Sequence, residues 1–302
     1  VGQFSVRYLA NDPEQGRFAK WLTVTAASVL LFVISNHLLL FMAAWMMSSL
    51  GLHLLLTHYR RRSQAILAAR KKFLVSRLGD IFLLGAFSLI YQGIGSWNYS
   101  TLFGSLDNGI PQSTSLSLAS FLLVAGAMTK SAQFPLHSWL PESMETPTPV
   151  SAFMHAGIIN AGGFLILRFS HLLVQSPLAL STLAMVGGFT ALFGVLVMLT
   201  QTSIKKRLAY STISQMGFMM LQCGLGAFTA ATVHIVVHSL YKGHAFLSSG
   251  GILEQTKKAR FAHQPHAGLS ALALLGLTLI NTFWCGLSAW IWQVPILTKS
   301  GG

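Results

Sequence analysis

Acidic residues are scarce in this 302-residue chain. Seven Asp and Glu stand against twenty Lys and Arg, and charged residues of all kinds make up only 9% of it. A soluble domain carries about a quarter, so there are too few charges to wrap a water-soluble core of this size. With 53% hydrophobic residues and a mean hydropathy of +0.59, the composition is that of a membrane protein. Cysteine is scarce too: Cys223 and Cys285 both lie in apolar runs, which argues against a disulfide framework or a thiolate metal site. There is no nucleotide-binding glycine loop, no Ser-His-Asp order and no Cys/His cluster. The chain is therefore not expected to be an enzyme by itself. Its first residues, VGQFSVRYLANDPEQGR, do not form a signal peptide, and helices preceding Val1 are expected.

What is abundant is apolar sequence in bilayer-length pieces. About 20 residues cross a hydrocarbon core of about 30 Å, and nine such windows fall near 20–35, 37–57, 73–92, 116–135, 150–172, 179–200, 208–224, 227–251 and 268–292. If the connecting segments alternate sides, one side receives sixteen of the twenty basic residues, among them Arg60, Arg61, Arg62, Arg70, Lys71, Lys72 and Arg77. The opposite segments, including the long polar 93–115, hold none apart from Lys299 near the C-terminal end. This positive-inside asymmetry predicts a multi-pass protein with its basic loops, including 58–72, in the cytoplasm. It also explains the net charge of +13 without nucleic acid.

Three cations fall outside this scheme. Arg168 lies near the outer end of its span, where its stem can snorkel to the interface. Lys130 and Lys242 lie deeper, where an ammonium costs at least about 2.5–3.5 kcal/mol and is kept only against water, a partner or the bundle interior. In GAMTKSAQFPLHSWLPES (126–143) Lys130 precedes Pro135 by five residues. Pro135 has no N–H for the carbonyl of Ser131 and its ring crowds that carbonyl, so a free backbone oxygen is expected beside the ammonium. Broken helices at membrane depth survive where they line a cavity or are buried in protein. The pair Lys130 and Pro135 thus predicts a hydrated intramembrane site, against the simpler reading of a lysine that snorkels out.

A second cluster lies in VHIVVHSLYKGHAFLSSGG (233–251), where His234, His238 and Lys242 recur every four residues along one helical face and His244 points elsewhere. Such a stripe suits a proton relay. Histidines at this spacing also chelate zinc, but no carboxylate or cysteine stands at ligand spacing, and interhelical hydrogen bonding is the plain structural alternative. His155, among small residues in SAFMHAGIINAGGF, is a further candidate, whereas His37, His53 and His171 sit near segment ends and read as structural. Asp80, three residues after Arg77, and Glu145 are the candidate acid partners; Arg77 and Asp80 also fit a simple ion pair.

The segments KSAQFPLHSWLPESMETPTPVSAFMHAGIINAGG (130–163), IKKRLAYSTISQMGF (204–218) and HIVVHSLYKGHAFLSSGG (234–251) resemble the antiporter-like membrane subunits. These include subunit L of respiratory complex I, the large subunits of Mrp cation/proton antiporters, and the DabB subunits of bacterial inorganic-carbon uptake complexes. The resemblance implies an all-α membrane bundle with inverted five-helix repeats and broken helices, its proton path through Lys130, His155, His234, His238 and Lys242. It covers about residues 1–260, leaving 261–302 as a divergent C-terminal transmembrane helix. RKKFLVSRLGD (70–80) is most similar to the DabB group, which implies a heteromeric complex in the bacterial inner membrane with a DabA-like subunit that holds zinc, none being expected in this chain. Complex I-like or Mrp-type pumping is the alternative. One departure stands out: complex I subunits carry a glutamate after the tryptophan of the second span seen here, and in this sequence Trp45 is followed by Met46.

Overall fold

The computed structural model describes residues 1–60, 62–108 and 113–249. Among these residues every regular element is a helix, and the one β-type contact is an isolated bridge between His37 and Asn98. In order they are α1 (Gly2–Tyr8), α2 (Gln15–Ile34), α3 (Leu38–Leu56), α4 (Ser63–Ile94), α5 (Tyr99–Asp107), α6 (Thr114–Lys130) and α7 (Trp139–Glu142). A 3-10 turn (Ser143–Glu145) leads to α8 (Thr148–Ala156), and another (Ile158–Asn160) to α9 (Ala161–Arg168). Then come α10 (Ser170–Val174), α11 (Pro177–Thr200), α12 (Ile204–Gly224) and α13 (Phe228–Ser249).

By length and composition α2, α3, α4, the α8–α9 stretch and α11 can each cross a bilayer. The expected windows differ from these in instructive ways. α6 is shorter because the chain breaks at Lys130, and α12 and α13 are long enough but carry the polar residues described below. The window at 73–92 proves to be part of a 32-residue helix that begins at Ser63. At 1.5 Å per residue that is about 48 Å, well beyond the hydrocarbon thickness. The expected basic loop therefore ends at Arg62, and Arg70, Lys71, Lys72 and Arg77 are helical. The ninth window, Cys285 and the proposed C-terminal helix lie outside the described residues.

Local signals account for the boundaries. Ser113 caps α6 by accepting from the Leu116 N–H, Pro177 opens α11, and Gly95 closes α4 at φ +76°. Helix contacts rest on small residues, as expected where lipid supplies no hydrophobic drive between helices. α11 and α12 meet so closely that a Cβ on Gly217 would strike the backbone nitrogen of Ala191. α4 presents Ala65, Ala68, Ala69, Lys72, Ser76, Gly79, Asp80 and Leu83 as one buried stripe, with Gly79 against Thr129 of α6. α3 is more enclosed than α2, α4 or α11, and Trp45, Ser48, Ser49 and Leu52 lie buried on it.

Candidate functional site: a buried polar axis

Lys130 is the last residue of α6, at the end whose carbonyl dipoles favour a cation. It is 5% exposed. Its ammonium donates to Oγ of Ser49 at 2.6 Å and of Ser48 at 3.2 Å, lies 3.5 Å from the Trp45 carbonyl, and stands 4.4 Å from the centre of the Trp45 ring. The lysine therefore points into the bundle onto α3 and does not snorkel out. Asp80 of α4 lies within electrostatic reach and pairs with Arg77 at 2.7 Å. Arg77 and Asp80 thus form the i,i+3 pair that their spacing allows, with the acid buried.

The helix break is built differently from the expectation. α6 stops five residues before Pro135: Ser131 still bonds the Ala127 carbonyl, Ala132 turns left-handed at φ +48°, and Gln133 N–H bonds the Met128 carbonyl. The Ser131 carbonyl, expected free beside Lys130, accepts from the Gln133 side-chain amide at 2.9 Å. A backbone oxygen inside a bundle needs a partner, and Gln133 supplies it two residues away. Phe134 N–H is satisfied by Thr190 of α11 at 3.1 Å. Pro135 lies beyond the break and is joined to Phe134 by a cis peptide. The acid partner suggested at Glu145 ends the 3-10 turn, and its side chain lies outside the described residues.

The second stripe lies on α13, which packs against α8 and α12. His238 and Lys242 are buried, His234 is half-buried and His244 is exposed. Lys242 donates to Ser211 Oγ at 2.8 Å and to the Leu208 carbonyl at 3.4 Å, both on α12. That carbonyl also accepts from the Thr212 hydroxyl, which meets Nδ1 of the fully buried His155 at 3.0 Å. With its one proton committed to Leu208, the hydroxyl accepts from Nδ1, leaving Nε2 of His155 as the basic nitrogen. The His155 ring stacks on Phe246 at 4.2 Å. His234 meets Gln222 Oε1 at 3.0 Å and its ring lies 5.9 Å from that of His238. Both His238 nitrogens are buried, and neither has a partner among the described residues. Among the described residues no group of three His, Cys, Asp or Glu side chains is placed to hold a metal.

A second break, unremarked in the sequence, joins the two clusters. The α8–α9 stretch interrupts at Gly157, and the 3-10 turn that follows meets both sides. Ser131 Oγ donates to the Ile159 carbonyl at 2.7 Å, while Asn160 Nδ2 donates to Ser239 Oγ of α13 at 2.8 Å and to the Ala156 carbonyl at 3.0 Å. The turn at Ile158–Asn160 therefore lies between Ser131, next to Lys130, and Ser239, next to His238. Hydroxyl and imidazole groups can both donate and accept, as proton transfer requires, whereas the Asn160 carboxamide and the Ile159 carbonyl hold their neighbours in place. Arg168 stands apart, donating to the Ser35 carbonyl at 3.0 Å and stacking over Tyr99. Its role is structural, though through these contacts and not through snorkelling.

Lys72 was missed. Counted with the basic loop, it is 2% exposed and its ammonium donates to the Ser49 carbonyl at 2.9 Å. The signal was available in its place on the stripe of small residues that α4 buries.

Comparison with known proteins agrees with this architecture. The chain is 44% identical over 261 residues to the probable inorganic carbon transporter subunit DabB of Hydrogenovibrio crunogenus, covering 86% of this chain and 50% of that one. It is 47% identical over 260 residues to the probable inorganic carbon transporter subunit DabB2 of Halothiobacillus neapolitanus, covering 86% and 47%. The chain thus spans about half the length of these relatives. Among solved structures it resembles a chain of the Mrp complex from Dietzia sp. DQ12-45-1b, with a TM-score of 0.75 and 31% identity over 84% of this chain and 29% of that one. Residues 35–289 match the family model described as NADH:quinone oxidoreductase/Mrp antiporter, transmembrane, and the chain belongs to that family of multi-pass membrane proteins.

Proposed function

We propose that this chain carries the ion path of a membrane subunit, moving protons between Lys130 and the cluster of His155, Lys242, His238 and His234 past the turn at Ile158–Asn160. The observation that carries the reading is the enclosure of Lys130: a lysine at a helix break, turned away from lipid and held by two serine hydroxyls, a carbonyl and an indole face. A buried ammonium with hydroxyl partners on one side and a polar chain on the other can hold a proton and hand it on. Asp80 is the nearby acid. The basic ends of the helices face the cytoplasm of a bacterial inner membrane.

The similarity to the two DabB relatives supports a finer statement: the ion flow energises inorganic-carbon uptake in a heteromeric complex. A DabA-like partner would hold zinc and carry any hydration chemistry, for which this chain offers no ligand set among its described residues. Met46 favours this over a complex I-like pump, since a thioether at that position cannot act on the lysine by charge.

Two measurements test the proposal. Lys130→Met keeps volume and removes the charge. In vesicles reconstituted with the full-length protein and its subunits, it should lower proton flux at least tenfold while leaving assembly intact, and unchanged flux would remove Lys130 from the path. An affinity pull-down with a zinc assay tests the partner: one large zinc-bearing subunit supports the carbon reading, and a set of quinone-reductase or Mrp subunits overturns it.

A further inference from the structure

We infer that Lys72 is a second proton-holding residue, which feeds Lys130 through Ser49 from the basic end of the bundle. The inference rests on the proton path proposed above and extends it toward its entry.

Ser49 is the meeting point of three helices. From α6, Lys130 reaches its hydroxyl at 2.6 Å; from α4, Lys72 reaches its carbonyl at 2.9 Å. Two buried ammonium groups therefore converge on one residue of α3. The charged and titratable groups around them are Arg77 and Asp80 on α4, and His53 on α3. Arg77 is paired with Asp80, so the one acid near them among the described residues cannot balance two lysines as well. With both amines close in a low-dielectric interior, a proton on one disfavours a proton on the other. That arrangement favours one shared proton over two fixed charges.

The geometry also gives the direction. His53 lies one turn from Ser49 toward the basic end of α3, is half-buried, and its Nδ1 meets the Ala69 carbonyl of α4 at 3.2 Å, one turn before Lys72. The order from the basic end is His53, Lys72, Ser49, Lys130. In the transfer step, the Lys72 ammonium swings from the carbonyl to the hydroxyl of the same serine. As it gives a proton to Oγ, the serine O–H passes its own proton to the neutral amine of Lys130. The products are a neutral Lys72, an unchanged Ser49 and a charged Lys130. Re-protonation of Lys72 from the basic end resets the step.

The competing role for Lys72 is a tether that holds α4 to the Ser49 carbonyl, and arginine separates the two. A guanidinium keeps the charge and the donors but does not give up its proton. In reconstituted vesicles carrying the full-length protein with its subunits, Lys72→Met and Lys72→Arg should both lower proton flux at least tenfold. Lys71→Met, next in sequence but at the surface and paired with Glu142, should stay within twofold of the parent. Flux within twofold of the parent for Lys72→Arg would make Lys72 a tether and overturn the inference, as would parental flux for Lys72→Met. If Lys72→Met does not assemble, Lys72→Arg and Lys72→Gln decide. Lys130→Met in the same series keeps the outcomes apart. Loss of flux there with parental flux in the Lys72 variants refutes the feeder and leaves the path standing, whereas parental flux in Lys130→Met refutes the path itself.

Discussion

Ser49→Ala removes one hydroxyl from the Lys130 enclosure and touches little else. The lost contact is the shortest of the three that the ammonium makes to oxygen, 2.6 Å against 3.2 Å to Ser48 and 3.5 Å to the Trp45 carbonyl. The bond from Lys72 is to the Ser49 backbone carbonyl and survives the change. A hydrogen bond to a charged group contributes about 1.5–3 kcal/mol. At about 1.4 kcal/mol per factor of ten, the equilibrium holding the ammonium on α3 should weaken roughly 10- to 150-fold. Ser48→Ala should cost less. Its contact to the ammonium is the longer of the two, 3.2 Å against 2.6 Å, which puts its loss toward the lower end of that range. Ser49→Thr keeps the hydroxyl and should restore most of the function. The assay is proton uptake by vesicles under an imposed gradient, read with a pH-sensitive dye, with detergent-phase thermal unfolding to confirm the fold. Equal effects at the two serines, or failure of threonine to restore flux at 49, would refute the claim that the Ser49 hydroxyl holds the ammonium in its working position.

Asn160→Ala removes the bonds to Ser239 and to the Ala156 carbonyl and should lower vesicle proton flux severalfold with the fold retained; unchanged flux would show that the axis does not pass this break. Gly217→Leu should abolish folded yield on size-exclusion chromatography, because its side chain would drive α12 from the backbone of α11, whereas Gly104→Ala, which faces open space, should be neutral. Asp12 lies outside the spans, and the Glu14 backbone N–H, with help from His58, holds its carboxyl below the ordinary 3.8. A depressed carboxylate stabilises the fold above its unfolded pKa and stops doing so as pH falls through its folded one. Asp12→Asn should therefore lower the melting temperature at pH 7, and the gap to the parent should close as pH falls through the depressed pKa of the folded carboxyl, a prediction that a pH series of melting curves checks.

Much of the site was legible because charge is costly in lipid. In a chain with so few ionisable groups, Lys130, His238 and Lys242 announced themselves by depth alone, and the four-residue spacing of the α13 stripe fixed the face they share. What stayed hidden was set by partners distant in sequence. Pro135 pointed to this segment, but α6 ends at Lys130, and Gln133 and Thr190 together satisfy the backbone groups freed there. The 3-10 turn at Ile158–Asn160 carries no proline and no charge, and its value lies in contacts to residues 28 positions before it and 79 after it. Lys72 was hidden by its neighbours: four cations within eight residues look like a loop, and only the buried stripe of Ala65, Ala68, Ala69, Ser76 and Gly79 shows that one of them faces inward.

The same stripe bears on the missing glutamate. Met46 is partly buried against the apolar core, so α3 gives Lys130 no charge of its own and offers the Trp45 carbonyl and indole face with the hydroxyls of Ser48 and Ser49. The acid comes from α4 instead, as Asp80 beside Arg77, and α4 brings Lys72 with it on the same face. An acid fixed to an arginine neutralises less than a free one, and a second lysine adds to the positive charge that must be managed. Under the proposed path, the local balance shifts from a lysine poised by an acid to two lysines poised by one another. Restoring the glutamate therefore becomes a discriminating change. Met46→Glu should fix a proton at the Lys130 site and slow vesicle flux if the two amines share it, whereas a path that simply lacks an acid would run faster.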